Sequence, residues 1–264
     1  MKLQILGCSG SMSGPHSAAS AYLVSAPGYD DVGNPRTFRF VMDFGPGAMG
    51  ALLRTCDPAD IDAMVLSHLH TDHCADLVGM QVYRRWHPSG SLKPIPVYSP
   101  GDGLRRTLQL SDDPQDETYE GEFDFHLLSP SDTIHVGPIS ISAFRALHPV
   151  DALSLRIQGP SDRHDGDALL AFSGDTDVCE GVAQASRDVD LFLCEAAFLE
   201  GRDTARGVHM TGVRAGKLAQ SVGAHSLALT HLQPWTDPQD VQAEAQEYFS
   251  GDLHVVKAGD EFIL

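Results

Sequence analysis

The chain has 264 residues, with 18 basic and 36 acidic side chains and a formal charge of −18 at pH 7. A field of this sign repels nucleic-acid backbones and anionic membranes, so an anionic substrate would need strong local positive charge at its site. No apolar run approaches the roughly 20 residues that a membrane helix requires. Nucleic acid and membranes are therefore not expected as partners.

The beginning of the chain and its cysteines bear on the compartment. Residues 1–11 contain one lysine and a short apolar run, without the features of a secretory signal. The five cysteines are scattered and form no CxxC pair, which is typical of reduced thiols. We therefore expect a cytoplasmic protein.

Strand-like runs come first as a meander and later alternate with helical patterns, which predicts packed sheets covered by helices. The predicted strands cover residues 2–6, 20–25, 37–44, 63–67, 95–99, 123–128, 139–144, 153–157, 168–173, 190–194, 226–231, 253–256 and 261–264. The predicted helices cover residues 46–55, 76–87, 102–110, 211–223 and 238–249. Acidic residues 111–122 are predicted to form a surface loop and residues 161–167 a hairpin tip. Because no linker interrupts the pattern, we expect a single domain over residues 1–264.

The densest pattern is HLHTDH, residues 68–73, directly after the apolar run AMVLS. If His68 and His70 alternate along an extended segment, both rings point to one side, while Asp72 and His73 close back where a helix begins. Neutral imidazoles with a carboxylate suit ions such as Zn²⁺, Mn²⁺ or Fe²⁺. Four ligands from one loop cannot all surround a single tetrahedral ion, so more distant ligands are expected.

Three polar residues elsewhere follow predicted apolar strands. They are His148, Asp175 in the segment FSGDTD, and His231. Each stands where a buried strand is expected to reach the surface, which is where a site built on a sheet would lie. A lone histidine is more often a packed or surface residue, and the other histidines outside these patterns receive no chemical role.

Taken together, HLHTDH, the strand-end His148, GDT, the strand-end His231 and the early MDFGPG with Asp43 resemble the metallo-β-lactamase fold superfamily. The resemblance implies an α+β fold, an αββα sandwich of two packed mixed sheets flanked by helices. It implies a centre of two divalent metal ions, with Zn²⁺ expected first and Mn²⁺ or Fe²⁺ as alternatives. Asp43 would orient the ligand loop from behind. The implied ligands are His68, His70 and His148 for one ion, Asp72, His73 and His231 for the other, and Asp175 as the bridge.

The segment GVHMTGVRAGKLAQ, residues 207–220, bears on the reaction. Thr211 can cap the helix that follows, and a helix N-terminus with His209 just ahead of it suits a phosphate oxygen or a leaving alkoxide. Phosphodiesterase members of the superfamily, such as ribonuclease Z, have a similar histidine. The resemblance implies that His209 stabilises the transition state or protonates the leaving group. The alternative is a histidine that only packs against the cap.

The interval between His148 and Asp175 is short, with 27 positions. Ribonuclease Z enzymes often carry a long tRNA-gripping arm in this interval. Because this chain has room only for two strands and a tip, and is acidic throughout, a small phosphodiester is a better candidate substrate than tRNA.

Further strings, namely the Gly/Ser loop at residues 7–14, YRRWHPSG, LCEAAF and LTHLQPWT, are similar to those of bacterial atypical cyclic-nucleotide phosphodiesterases. This resemblance implies hydrolysis of 3′,5′-cyclic AMP, with cyclic GMP as a second substrate, to the 5′-monophosphate by a hydroxide held between two metals. Asp72 would also orient that hydroxide. The expected partner is the small cyclic nucleotide, and a homodimer stays open. Candidate substrate contacts are Ser9, Ser11, Arg84, Arg85 and Thr211, with Trp86 and Trp235 as candidate stacking residues.

Alternatives remain at this point. Arg84 and Arg85 could equally be solvated surface residues, and the two tryptophans could belong to the core or a rim. The protein could be a ribonuclease Z-like RNA or DNA phosphodiesterase, or a lactonase or thioesterase in which His209 is incidental. A non-catalytic nucleotide sensor is a further alternative, against which the full ligand set argues.

Overall fold

The computed structural model describes residues 1–264 and contains 15 strands and seven α-helices. The strands are β1 Lys2–Ser9, β2 Ala18–Ala19, β3 Ala21–Tyr29, β4 Pro35–Phe44, β5 Ala63–Val65, β6 Ile95–Ser99, β7 Phe123–Leu127, β8 Thr133–Val136, β9 Ile139–Arg145, β10 Leu153–Pro160, β11 Asp167–Phe172, β12 Leu191–Glu195, β13 Ser226–Thr230, β14 Asp252–Val255 and β15 Glu261–Ile263. The helices are α1 Ala48–Thr55, α2 Thr71–Cys74, α3 Leu77–Arg85, α4 Gly103–Ser111, α5 Glu180–Ala185, α6 Gly212–Ser221 and α7 Pro238–Gln246. None of these helices has the length and apolar character needed to cross a membrane.

The strands form two mixed sheets. The first has the order β15-β1-β3-β4-β5-β6-β7, with β2 beside β1, and the second has the order β14-β13-β12-β11-β10-β9-β8. In the first sheet β1, β3 and β4 are antiparallel, while β4 to β7 run parallel. In the second, β8 to β11 are antiparallel, while β11 to β14 run parallel. Each sheet therefore joins a meander to a parallel half.

Burial alternates along the central strands. In β4, Phe40 and Met42 face the core that lies between the two sheets, whereas Val41 faces the core under helices α1, α3 and α4. In β12, Leu193 faces the shared core and Phe192 the core under α5, α6 and α7. Strands buried on both faces read as continuous apolar runs, which is why both were predicted from sequence. The layers are helix, sheet, sheet and helix, so the predicted αββα sandwich is confirmed.

The parallel halves determine where a site can form. Parallel strands end at the same edge of their sheet, and their following loops gather there. The loops after β4 and β5 in the first sheet therefore reach the same region as those after β11, β12 and β13 in the second. This shared edge carries the polar residues that the sequence placed at strand ends.

Two predicted connections have the expected form. Strands β10 and β11 are an antiparallel pair in register from Leu155–Phe172 to Pro160–Asp167, so residues 161–166 are a short tip and no arm is inserted there. Residues 111–122 lie against α3, where Tyr119 is fully buried. The acidic segment is therefore a surface loop that is anchored on a helix.

Candidate metal centre and catalytic site

The first group of site residues follows β5. Strand β5 ends at Val65, the chain bends at the buried Ser67 and passes through the buried His68, and His70 has an extended backbone (φ −65°, ψ 153°) immediately before α2. The single turn of α2 then brings Asp72 and His73 back towards the same space, and both are buried. The predicted helix start at Asp72 and His73 is therefore confirmed, whereas the extended strand ends at Val65, and His68 and His70 lie in a bent connection rather than along one continuous strand.

The second sheet supplies the other three predicted ligands. His148 follows β9, Asp175 follows β11 and His231 follows β13. His231 has a positive φ of 61°, a conformation that a non-glycine residue rarely adopts and that the surrounding packing must hold. All seven predicted ligands lie together at the shared edge of the two sheets.

One cluster consists of His68, His70 and His148. Nε2 of His68 lies 3.0 Å from Nδ1 of His70, and that atom lies 3.1 Å from Nε2 of His148. Ligands held tetrahedrally at 2.0–2.1 Å from one Zn²⁺ would lie about 3.3 Å apart. The spacing of these three nitrogens therefore fits a common ion.

A second cluster consists of Asp72, His73, Asp175 and His231. Oδ2 of Asp175 lies 3.2 Å from Nε2 of His73 and 3.4 Å from Nε2 of His231. The same oxygen lies 3.7 Å from Nε2 of His68, which belongs to the first cluster. Asp175 thus stands between the two clusters, the position expected of a bridging carboxylate.

The donor set in this region fits metal ions. Nε2 of His73, Nε2 of His231 and Oδ1 of Asp175 are buried and have no hydrogen-bond partner in the protein. Unpaired buried polar atoms are costly, and imidazole nitrogens with carboxylate oxygens are ligands that divalent ions such as Zn²⁺ take. A divalent metal centre accounts for these unpaired atoms.

Further polar groups hold the histidine rings from behind. Asp43, itself at φ 55°, accepts a 2.7 Å hydrogen bond from Nδ1 of His73 and a 2.6 Å bond from the backbone N–H of Ser67. The Ser20 hydroxyl lies 2.8 Å from Nδ1 of His231. Such partners fix ring orientation and leave the other nitrogen for a metal. Asp43 therefore lies where the sequence predicted, whereas Ser20 and Ser67 were not identified.

The carboxylates make the site favour positive charge. Burial lowers the pKa of His73, but the carboxylates of Asp175 and Asp43 outweigh it and raise that pKa well above its ordinary value. Burial likewise raises the pKa of Asp175, but the neighbouring histidines, His231 first, outweigh it and hold that pKa well below its ordinary value. A concentration of ionised carboxylates in a buried pocket attracts cations.

His209 lies at the junction of the two clusters. It is buried, its Nδ1 donates to Oε1 of Glu195 at 2.9 Å, and that Nδ1 is 3.9 Å from Oδ2 of Asp175. Its ring centre is 5.5 Å from the rings of both His148 and His231. Burial lowers the pKa of His209, but the Glu195 carboxylate outweighs it and raises the pKa to about 9. Nδ1 is thus taken by Glu195, and Nε2 is the ring nitrogen that remains.

Glu195 is the main functional residue that sequence reasoning missed. It is 1 % exposed at the end of β12 and also accepts N–H bonds from Thr176 and Ala197, at 2.9 and 3.1 Å. The available signal was an acidic residue that ends the apolar run LFLC, the same signal that identified Asp175.

Thr211 is placed behind His209 as the cap of α6. Its side-chain oxygen accepts the N–H of Arg214 at 3.3 Å and donates to Glu200 at 2.9 Å, and the residue is fully buried. The predicted helix cap is therefore present. The expected substrate contact is not, because the hydroxyl is enclosed by these protein partners.

Arg84 and Arg85 occupy the end of α3 that points away from the histidines. Arg84 is buried and donates to the carbonyl of Lys93, while Arg85 forms ion pairs with Glu117 at 3.1 Å and Glu122 at 2.8 Å. Arg85 is thus engaged by two carboxylates, while Arg84 is buried in the protein with Nε and Nη1 unpaired, so the structure does not support either as a phosphate or base contact. The sequence of a helix does not show which distant carboxylates its basic residues will pair with, so the ion pairs of Arg85 could not be predicted.

Of the remaining candidate substrate contacts, Trp86 lies away from the site, whereas Trp235, Ser9 and Ser11 lie in the loops beside it. Trp86 follows Arg85 and is 75 % exposed, whereas Trp235 is 62 % exposed only four residues after His231. Ser9 is buried at the end of β1, where it forms a β-bridge with Leu232. Ser11 is exposed in the following loop and has a positive φ of 64°. The N-terminal loop therefore lies beside the site, as the sequence suggested.

Comparison with known proteins places this geometry in context. Residues 38–232 match the family described as "Beta-lactamase superfamily domain". The chain is 39 % identical over 269 residues to the uncharacterised protein Rv1339 of Mycobacterium tuberculosis, with 99 % of this chain and 92 % of that protein covered. It is 25 % identical over 308 residues to ribonuclease Z of Myxococcus xanthus, covering 98 % and 96 %. The crystal structure of YhfI from Bacillus subtilis, a metallo-β-lactamase fold protein, superposes with a TM-score of 0.81 at 24 % identity, covering 99 % of this chain and 98 % of the other.

Proposed function

The chain belongs to the β-lactamase superfamily of metal-dependent hydrolases, and we propose that it is a phosphodiesterase that hydrolyses 3′,5′-cyclic AMP to 5′-AMP. Cyclic GMP is the second substrate of this proposal. The proposed ions are two divalent metals, with Zn²⁺ as the first candidate. The proposal is supported by the ligand clusters, by His209 and by the small size of the loops around them.

The chain's own residues would hold the two ions. His68, His70 and His148 would hold one, Asp72, His73 and His231 would hold the other, and Asp175, which lies in the second cluster and 3.7 Å from Nε2 of His68, would contribute to both. Bound there, the ions would supply an activated water and positive charge opposite the phosphate, which answers the repulsion expected from a chain of charge −18. Asp72, whose side chain is 12 % exposed, would also orient that water.

His209 supplies the proton that the reaction requires. Hydrolysis joins a water oxygen to phosphorus and breaks the bond from phosphorus to the 3′ oxygen, which must leave as a hydroxyl. Because Nδ1 of His209 donates to Glu195, Nε2 is the atom that can stabilise the phosphoryl oxygens and give its proton to the 3′ oxygen. Nδ1 stays bonded to the carboxylate, which stabilises the protonated ring.

The observation that carries this proposal is the buried His209–Glu195 pair beside both clusters. A histidine that only packs against the α6 cap would have no need of a carboxylate partner, since burying that carboxylate is costly. A thioesterase has less use for such an acid, since a thiolate leaves without protonation, whereas the 3′ oxygen of a sugar phosphodiester leaves as an alkoxide that needs a proton. The pair therefore favours a phosphodiester over a thioester, and a lactone is separated from both by the substrate test below.

The size and charge of the molecule favour a small diester over RNA. The β10–β11 connection is a short tip, and the chain as a whole has a formal charge of −18. The similarity to ribonuclease Z agrees with phosphodiester chemistry, but RNA binding gains most of its affinity from phosphate contacts with cationic side chains. Ribonuclease Z-like activity is thus the second candidate.

The test compares substrates on one metal-loaded sample. We expect turnover of 3′,5′-cyclic AMP to exceed that of 2′,3′-cyclic AMP, precursor tRNA and a γ-lactone, with 5′-AMP as the only nucleotide product by chromatography. Faster cleavage of precursor tRNA would instead establish the ribonuclease alternative. Faster lactone hydrolysis would overturn the phosphodiesterase proposal.

A further inference from the structure

A pocket of ≈ 240 Å³ lies between the N-terminal loop and the loop that follows β13. Its walls include Ser9 and Gly14 from the first loop and Leu232, Pro234 and Thr236 from the second. This volume is below the roughly 300–1,000 Å³ of pockets that enclose whole drug-sized ligands, so it suits a single flat ring system.

The pocket adjoins the metal-ligand clusters. Ser9 and Leu232 form a β-bridge, and the N–H of Gly10 donates to the carbonyl of Leu232 at 2.9 Å. A Cβ on Gly10 would lie 2.1 Å from the carbonyl oxygen of His231 and 2.9 Å from its ring carbon Cδ2. The chain on both sides of the pocket is therefore directly next to a ligand of the second cluster.

The lining is chemically unlike the rest of the site edge. It contains no Lys, Arg, Asp or Glu, and His16 is its one histidine, although the chain has a formal charge of −18. Its apolar walls come from Pro15, Leu232, Pro234, Val255 and Val256. A phosphate would find no Lys or Arg here, whereas a neutral ring with apolar faces and a polar edge would match the lining.

One polar atom in this wall has no partner. The hydroxyl oxygen of Ser9 is buried without a hydrogen bond, and the residue is 6 % exposed. By contrast, Thr236 accepts a 3.0 Å bond from Arg202, and the Ser17 hydroxyl accepts the N–H of Cys8 at 2.9 Å. An unsatisfied buried hydroxyl is unfavourable, and a ligand atom could pair with it. Trp235 stands in the chain between the lining residues Pro234 and Thr236 and is exposed.

We infer that this pocket is the subsite for the nucleobase of the substrate, with Ser9 as the hydrogen-bond partner of the base and Trp235 as a stacking surface at the rim. The inference rests on the proposed function, since it assigns the organic half of a nucleotide whose phosphate lies at the metals. Base selection then depends on the N-terminal Gly/Ser loop, which holds no metal ligand.

Gly14 offers a way to fill the pocket. Its backbone is not in the left-handed region, and a Cβ there would lie 3.1 Å from Oγ of Ser9 and 3.9 Å from Cγ of Pro234. A leucine at this position therefore projects between the two walls. Gly121 is a matched control, because its φ is also ordinary and nothing lies within 4 Å of its added Cβ.

The experiment measures kcat/KM for 3′,5′-cyclic AMP and for the same cyclic phosphate on 1-deoxyribose, which has no base. We expect Gly14→Leu to lower the ratio of the two values by about 10- to 100-fold, mainly through KM for cyclic AMP, and Ser9→Ala to lower it by roughly 3- to 10-fold. Gly121→Leu should leave both values unchanged. An unchanged ratio in Gly14→Leu would overturn the assignment.

Calorimetry separates failure of the subsite from failure of the proposed reaction. Metal-loaded protein is titrated with 5′-AMP and with ribose 5-phosphate, and neither titration requires turnover. Weaker binding of 5′-AMP alone in Gly14→Leu supports the subsite even if cyclic AMP is not hydrolysed. Equal losses for both ligands, or no loss for either, contradict it. If Gly14→Leu lowers the melting temperature, the milder Ser9→Ala decides the question by the same comparison.

Discussion

Four histidines of the site are held through Nδ1 and present Nε2. Nδ1 of His73 meets Asp43, Nδ1 of His231 meets Ser20, and Nδ1 of His148 lies 2.9 Å from the carbonyl of Val208. These partners fix the orientation of the rings before ions or substrate arrive. Nδ1 of His209 is held in the same way by the Glu195 carboxylate.

Replacing His209 by alanine tests the acid at this site. Because no metal ligand is removed, we expect kcat to fall by roughly 10²–10⁴-fold while both ions are retained. The measurements are kcat for cyclic AMP and metal content by mass spectrometry. His135→Ala, a change at an exposed strand position, is the control and should alter neither. Full activity in His209→Ala would rule out the acid role.

Replacing Glu195 by glutamine tests how His209 is held. Glutamine keeps the size of the side chain but loses the charge that pairs with the ring. Hydrogen bonds to charged groups are worth about 1.5–3 kcal/mol, so kcat should fall by roughly 10- to 100-fold. The double variant with His209→Ala should be no slower than His209→Ala alone. Independent, multiplying losses would show that Glu195 acts elsewhere.

At the scale of elements, the segment between β12 and α6 decides where His209 lies. Asp177, two residues after Asp175, accepts the N–H of Gly207 at 2.8 Å and pairs with the guanidinium of Arg214 on α6. The buried carboxylate of Asp177 thus holds both the segment that leads to His209 and helix α6 behind it. The loop after β11 therefore supplies the proposed metal ligand Asp175 and, two residues later, Asp177, which holds α6 in place.

Asp177→Ala removes that anchor. Because it leaves a buried N–H and a guanidinium without their partner, we expect the free energy of unfolding to fall by about 1–3 kcal/mol. We also expect kcat to fall with metal content unchanged, since His209 loses its position. Urea unfolding and kinetics measure the two effects. Asp252→Ala, where the side chain is 72 % exposed, is the control and should match the parent protein.

The sequence revealed those parts of the molecule whose signals are local. HLHTDH was recognisable because four donors lie within six positions, and β4 and β12 because burial on both faces leaves an unbroken apolar run. Strand β8 and helix α5 were missed, since four and six residues are too few to show a period. Ser20 was missed because its partner His231 lies 211 positions away, and nothing near it in the chain indicates that contact.

At the scale of the whole molecule, the ligand clusters join the two sheets. His68, His70, Asp72 and His73 come from the first sheet, and His148, Asp175 and His231 from the second. Ions bound between them would tie the sheets together on the side where no helix covers the edge. Metal binding should therefore stabilise the native state, because unfolding separates the ligands.

Removing the metals tests this linkage. Free metal at about a thousand times its Kd stabilises a protein by about 4 kcal/mol. For a chain of this size we expect the melting temperature to fall by roughly 8–16 °C on chelation. In Asp175→Ala, which loses the residue shared by both clusters, we expect lost turnover and a melting temperature that no longer responds to chelator. Asp167→Ala, on an exposed strand end, should respond like the parent protein.

The order of the proposed ligands along the chain determines when a newly synthesised chain can bind its metals. His231 is the last of the seven proposed ligands, and Asp175 and His148 also come after the whole first meander. A nascent chain that displays HLHTDH on the ribosome holds only part of each cluster, and the β strands that complete them have yet to emerge. Firm metal capture therefore awaits β13 and its docking in the second sheet. The complete ligand set therefore exists only after β13 has been made. A chain truncated before β13 would contain HLHTDH but would lack His231.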